Sequence, residues 1–225
     1  MEMKRLARFI RFVLFLPYTI YFNFKCLPYK QAIKLPIVFY VRPTFLSLKG
    51  KVILDCQARR NMIRLGLEMA PMVTYSGFRW KNLGTIIFKG DLTFSYKGFI
   101  SCGEKGCIEF GNNNSFSFGC RVICEESIVF ADKIRVSWDC SFIDTDFHPI
   151  IDTVSNRPLK MTLPINLRYG VWIGHNCIIS KGCKILENSI VSSGAIVKGK
   201  FSKENVIIAG NPAVVVDEGY VRDDV

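Results

Sequence analysis

The chain has 225 residues, 49% of them hydrophobic, and carries 30 lysines and arginines against 19 acidic residues, a formal charge of +11. That length and apolar content suit one packed domain and exclude a disordered chain, save at an Asp223–Asp224 tail. The charge is concentrated in front: residues 1–50 hold nine basic residues and one acidic, an address for an anionic partner. No nucleic-acid module accompanies it, which argues against nucleic-acid binding.

Lys4 and Arg5 precede an apolar run from Phe9 to Phe24. Arg11 interrupts the run, Pro17 breaks it and no small-residue cleavage site follows, so it fits neither a signal peptide nor a membrane span. It predicts an amphipathic, aromatic-rich helix to about Leu16, with two uses. Its aromatic face could lie in a membrane interface, with lysines and arginines toward anionic lipid, or it could cap the open end of the structure that follows. Residues 1–50 are read as this basic lead-in, 51–216 as the main domain and 217–225 as a tail.

The main domain is read from a strict six-residue repeat between Ile173 and Ser202: IGHNCI, ISKGCK, ILENSI, VSSGAI, VKGKFS. Ile173, Ile179, Ile185, Val191 and Val197 open the units, and small residues follow at Cys177, Cys183, Ser189 and Ala195. A period of six is neither helical nor that of a simple strand. It predicts short strands stacked into a solenoid, each rung burying its aliphatic residue on the equivalent residue of its neighbours. With slips, the register continues upstream through Phe110, Phe116, Val122, Phe130, Val136 and Phe142, and weaker fragments at Ile53, Ile63, Ile86, Phe94 and Ile100 suggest rungs back to about residue 50. The nine cysteines contain no CxxC pair, and Cys120, Cys140, Cys177 and Cys183 fall in or near the small-residue column. They read as buried small hydrophobes in a reducing compartment, with no zinc site and no metal.

After Phe142 the hexads stop at Asp144-Thr145-Asp146-Phe147-His148. Residues 149–170 carry Pro149, Pro158 and Pro164 and no repeat, which predicts a loop thrown out from the coil before rungs resume at Val171. Long loops on rigid scaffolds concentrate function. His148 is one of only two histidines; it follows two carboxylates and stands where repeat meets loop, so it is the first candidate for catalysis. His175 falls at a corner facing solvent.

The combination of DTDFH, an extruded loop, YGVWIGHNCIISKGCKILENSIVSSGAIVKG and VIIAGNPAVVV resembles the hexapeptide-repeat acyltransferases, and most the sugar O-acetyltransferases of bacterial surface polysaccharides. The resemblance covers roughly residues 50 to 216. It implies an all-β fold, the left-handed parallel β-helix, in a homotrimer with active sites between neighbouring coils, and direct acetyl transfer from acetyl-coenzyme A to a sugar hydroxyl. His148 would be the general base, Asp146 its orienting carboxylate, Asp144 an acceptor contact, and Asp139 and Trp172 further acceptor contacts. Gly174 would lend backbone to the oxyanion, and Ser193-Gly194-Ala195 would line the pantetheine arm. Lys198, with Lys200 and Lys203, would meet the phosphates, and Asn211-Pro212 would form the closing turn near the adenine. Val214 stands where the family often has a basic residue. Two alternatives stay open: N-acetylation of an amino-sugar nucleotide or other small amine, and a non-catalytic cationic scaffold. A reducing compartment, a cytosolic donor and no export signal predict the cytoplasm, with the inner membrane face as the place where lipid-linked glycans are assembled.

Overall fold

The computed structural model describes residues 2–67 and 77–223, so Asp224 lies outside the described residues. From Ile37 to Val197 the chain winds in rotation, broken only by the excursion, through three sheets of parallel strands, which number nine, seven and six strands with the antiparallel last strand of the first counted. The first turn of the coil is Ile37–Phe39, Pro43–Leu48 and Lys51–Leu54, one strand for each face of a three-sided solenoid. The coil therefore starts ahead of the boundary expected at residue 51. Its opening strands bury Ile37, Val38 and Phe39 rather than a hexad pattern, which is why the repeat does not show there.

The two predicted columns are the core. Ile173, Ile179, Ile185, Val191 and Val197 are fully buried, as are Cys177, Cys183 and Ser189, with Ala195 1% exposed. Upstream, aromatic rings take over: Phe88, Phe110 and Phe130 stack in one column at 5.4 and 5.2 Å, and Phe94 stacks on Phe116 at 4.6 Å. Stacked rungs place identical side chains in van der Waals register, so a ladder of phenylalanines fills the wider turns with large buried area. The register slips where the strands of the second and third faces are longer, as in the four-residue strands Arg121–Cys124 and Ser127–Phe130 on either side of Glu125–Glu126, against Ile178–Ser180 and Lys184–Ile185 later in the coil. Ile53 is corrected: it is 41% exposed, while its neighbours Val52 and Leu54 point inward.

Three helices stand before the coil: α1, Glu2–Leu14, α2, Leu16–Cys26, and the single turn α3, Tyr29–Ala32. Pro17 sits in the first turn of α2, where its missing N–H costs nothing, so it starts a second helix instead of ending the structure. α2 is the cap. One turn apart, Thr19 and Asn23 are fully buried against the unpaired edge of the strand Ile37–Phe39. The Phe39 N–H donates to Thr19 Oγ1 at 3.1 Å and the Ile37 N–H to Asn23 Oδ1 at 3.2 Å, while Asn23 Nδ2 donates to the Ile37 carbonyl at 2.6 Å. An open sheet edge is thus closed by side chains, and Phe22 plugs the end of the coil edge-on to Phe39 and Trp80.

The excursion leaves the coil after Ser141–Ile143 and rejoins it at Ile165–Leu167, so the extruded segment is 144–164 rather than 149–170. Ile165 and Leu167 are buried and pair with Ile128 and Phe130; the preceding prolines hide this strand in the sequence. The excursion holds an antiparallel pair, Ile151–Asp152 with Arg157–Pro158. At the far end Ala213–Glu218 folds back antiparallel on Val206–Gly210, so the last strand runs past residue 216, and Asn211-Pro212 form the tip between them.

Candidate active site

The corner between the second and third faces carries the extruded segment. Asp144 stands at its root, fully buried. Its Oδ1 accepts the Glu125 N–H, and its Oδ2 accepts those of Glu126 and Ser127, all at 2.8 Å. The acceptor-contact role expected for Asp144 is corrected by this geometry: the carboxylate ties off the Glu125–Glu126 corner of the rung below and presents nothing to solvent.

Asp146 pairs with the ammonium of Lys181, which also donates to the carbonyls of Lys160 at 2.6 Å and Met161 at 3.4 Å. The Asp146 N–H reaches the Met161 carbonyl at 3.0 Å. Asp146 is therefore part of a brace across both legs of the excursion. His148 lies two residues farther out and exposed, beyond Phe147, whose φ of 61° turns the chain outward. Among the described residues neither Asp144 nor Asp146 hydrogen-bonds His148, so the expected Asp–His pair is not formed within this chain. Glu126 completes the brace by accepting the Thr162 hydroxyl at 2.6 Å, with Lys160 at 3.5 Å.

Beneath the returning leg lies a pocket of about 720 Å³ walled by Leu163 and Pro164 and ringed by Lys181, Lys184, Lys198 and Lys200. Gly199, with φ of +86°, leaves its outer side open: a Cβ there would meet nothing within 4 Å. Lys184, Lys198 and Lys200 give this cleft a positive rim with no acidic lining residue, while Lys181 is already paired with Asp146. Lys203, by contrast, is engaged by Glu218 at 2.5 Å.

The remaining predicted residues occupy other places. Asp139, Gly174 and Ser193-Gly194-Ala195 lie at the corner between the first and second faces. Asp139 adopts the left-handed turn conformation, with its N–H bonded to the Phe118 carbonyl. The Gly174 N–H donates to the Val191 carbonyl at 2.8 Å, which corrects its expected oxyanion role: that donor is spent inside the coil. A side chain at Gly174 would strike the Ser193 backbone at 2.7 Å, so the glycine is there for close packing of rungs. The Gly194 N–H is likewise spent on the His175 carbonyl, and Ala195 is buried, leaving Ser193 and Gly194 as the outward members of that triplet. His175 stacks on Trp138 at 4.8 Å with rings 2° apart. Trp172, 38% exposed on the first face, donates its indole N–H to Ser137 Oγ at 3.3 Å. Asn211 and Pro212 are exposed at the terminal hairpin, joined by a cis peptide bond. Among the described residues no group of three or more His, Cys, Asp or Glu is placed to hold a metal ion.

No family model matches the chain. A galactoside O-acetyltransferase of Escherichia coli (strain K12) is 28% identical over 107 residues, 48% of this chain and 52% of that protein. A galactoside O-acetyltransferase of Lactococcus lactis subsp. lactis (strain IL1403) is 30% identical over 73 residues, 32% of this chain and 35% of that protein. The chain spans about half the length of the first curated relatives it matches. Among solved structures, the polySia specific acetyltransferase NeuO shares the fold with a TM-score of 0.54 at 22% identity, over 83% of this chain and 78% of that one. This is the left-handed parallel β-helix of the hexapeptide-repeat acetyltransferases.

On that β-helix, two of the residues that sequence reasoning missed are Lys181 and Glu126. Both are ordinary charged residues at rung corners, and only the excursion folded over them makes them part of the site. One signal was present: SKGCK sets Lys181 beside Gly182, in the corner of the rung directly after the excursion rejoins.

Proposed function

We propose that this chain is an acetyl-coenzyme A-dependent O-acetyltransferase acting on a sugar hydroxyl of a surface polysaccharide or its precursor. The observation that carries the reading is the exposed His148 on an excursion braced over a lysine-ringed pocket, on the β-helix fold. Relatives named galactoside O-acetyltransferases and the polysialic acid enzyme support the sugar acceptor.

In this reading His148 takes the proton of the acceptor hydroxyl as its oxygen attacks the thioester carbonyl. The C–S bond breaks and the proton passes from the imidazolium to the departing thiolate. The lysines fit the phosphates of the donor: Lys198 and Lys200 are exposed on its open side, and Lys181 is already engaged by Asp146. His148 and the Ser193-Gly194 corner stand on different edges of one coil, and a trimer in which one copy's excursion faces its neighbour's first corner would bring the two together. The neighbour would then supply the orienting partner for His148, since neither Asp144 nor Asp146 bonds it among the described residues. Trp172 and Asp139 flank that first corner and are the acceptor contacts of this reading.

Calorimetric titration with acetyl-coenzyme A tests the donor site. The wild type should bind, and Lys198→Ala with Lys200→Ala should weaken binding by about tenfold or more, since each charge-assisted contact to phosphate is worth about 1.5–3 kcal/mol. The weakening should shrink as salt is raised. Unchanged affinity in the double variant would place the phosphates elsewhere.

A further inference from the structure

The lead-in segment divides between two helices the two roles its sequence allowed. Closing the coil is done by α2 through Thr19, Phe22 and Asn23, while α1 meets the coil at Phe12, under Arg60, and keeps an apolar stripe that stands exposed among the described residues. Leu6, Phe9, Ile10, Val13 and Leu14 fall at i, i+3, i+4, i+7 and i+8, one stripe of the helix, and stand 50–64% exposed. The stripe continues in character through Tyr21 at 55% and Phe24 at 47% on α2, beside the exposed cations Lys25, Lys30 and Lys34. We propose that this face docks the protein flat on the surface of an anionic lipid bilayer, with the apolar side chains among the acyl chains and the lysines at the headgroups.

Charge selects this occupant over a second copy of the chain. Residues 1–50 carry nine basic residues and one acidic, so pairing two such faces would bring like charge together. Protein interfaces are depleted in lysine at their core, whereas an interfacial helix wants aromatic and aliphatic residues on one side and Lys and Arg around them. Length makes the contact peripheral: the 13 residues of α1 rise about 20 Å, too little for a hydrocarbon core of about 30 Å, and no described helix is long and apolar enough to cross a membrane. The docking face lies at the opposite end of the coil from the terminal hairpin, so an enzyme held this way would carry its excursion several rungs away from the membrane plane, on the fifth strand of its sheet.

Co-sedimentation of the full chain with phosphatidylcholine vesicles, with and without phosphatidylglycerol, tests the surface without any acetyl acceptor or donor, and so independently of the proposed activity. The wild type should bind the vesicles containing phosphatidylglycerol about tenfold or more tightly than the neutral ones. Phe9→Ser, Ile10→Ser and Val13→Ser together should lower that binding by about tenfold or more with the thermal midpoint kept, because these side chains are exposed. Should the triple variant fold poorly, Lys25→Gln, Lys30→Gln and Lys34→Gln together leave the apolar face alone and should abolish the preference for the anionic vesicles. Failure of the wild type to sediment with either vesicle would overturn the proposal. So would a preference untouched by the lysine changes, or vesicle-free self-association that the serine changes dissolve.

Discussion

His148→Ala is expected to lower kcat for acetyl transfer by about 10²–10⁴-fold, the usual contribution of a positioned general base, while the melting temperature and the affinity for acetyl-coenzyme A stay at wild-type values. The split follows from where the residue stands. His148 is exposed on the excursion and packs into no core, so its removal leaves no cavity and breaks no buried hydrogen bond. The lysines of the pocket all lie on the coil and are untouched. A sugar hydroxyl is a poor nucleophile near neutral pH, and without an imidazole to take its proton the attack must wait for water. Steady-state thiol release with wild type and variant, alongside calorimetry, checks both halves of the expectation. Equal rates would remove His148 from the mechanism; a parallel collapse of stability would make it a structural residue.

Asp144→Ala is expected to fail in the opposite way, by losing stability. The buried carboxylate satisfies three backbone N–H groups, of Glu125, Glu126 and Ser127, at 2.8 Å each. Removing it orphans three donors at about 1–3 kcal/mol apiece, offset in part by water entering the corner, for a net loss of about 2–4 kcal/mol. That is a large share of the roughly 5–15 kcal/mol that holds a typical domain folded. Urea denaturation at matched protein concentration should show the lower midpoint, and Asp144→Asn, which keeps one acceptor oxygen, should fall between. A variant as stable as wild type that no longer turned over would return Asp144 to the chemistry. The neighbouring carboxylate differs again, since Asp146 braces Lys181 and the Lys160–Met161 leg, and its loss should loosen the excursion without unfolding the coil.

The contrast between these two aspartates shows where the sequence is legible and where it is not. The coil from Ile173 to Val197 can be read residue by residue because inward positions in stacked short rungs must match in size and apolarity. Farther upstream the same packing is achieved with phenylalanine ladders, and longer strands such as Arg121–Cys124 and Ser127–Phe130 shift the register, so the period blurs although the architecture does not change. The end of the excursion was hidden by Pro164 next to a strand of only three residues, Ile165–Leu167. His148 stood out because histidine is scarce here and breaks the repeat where a loop begins. Its surroundings did not. Which carboxylate faces the imidazole and which turns inward depends on the path of the chain through the corner. Two residues of separation at a turn suffice to bury Asp144, brace Asp146 and expose His148. Gly174 gives the same lesson, since its backbone N–H could be assigned only once the rung above it was in place.

The most direct measurement is thiol release from acetyl-coenzyme A in the presence of a panel of galactosides, sialic acid oligomers and nucleotide sugars, with the acceptor's mass followed in the same reactions. The account predicts release that requires a hydroxyl acceptor, with an ester-linked acetyl group appearing on that acceptor in equal amount and removable by mild alkali. Release that requires an amine and leaves an alkali-stable amide would contradict O-acetylation, and the absence of both binding and release would contradict acetyl transfer altogether.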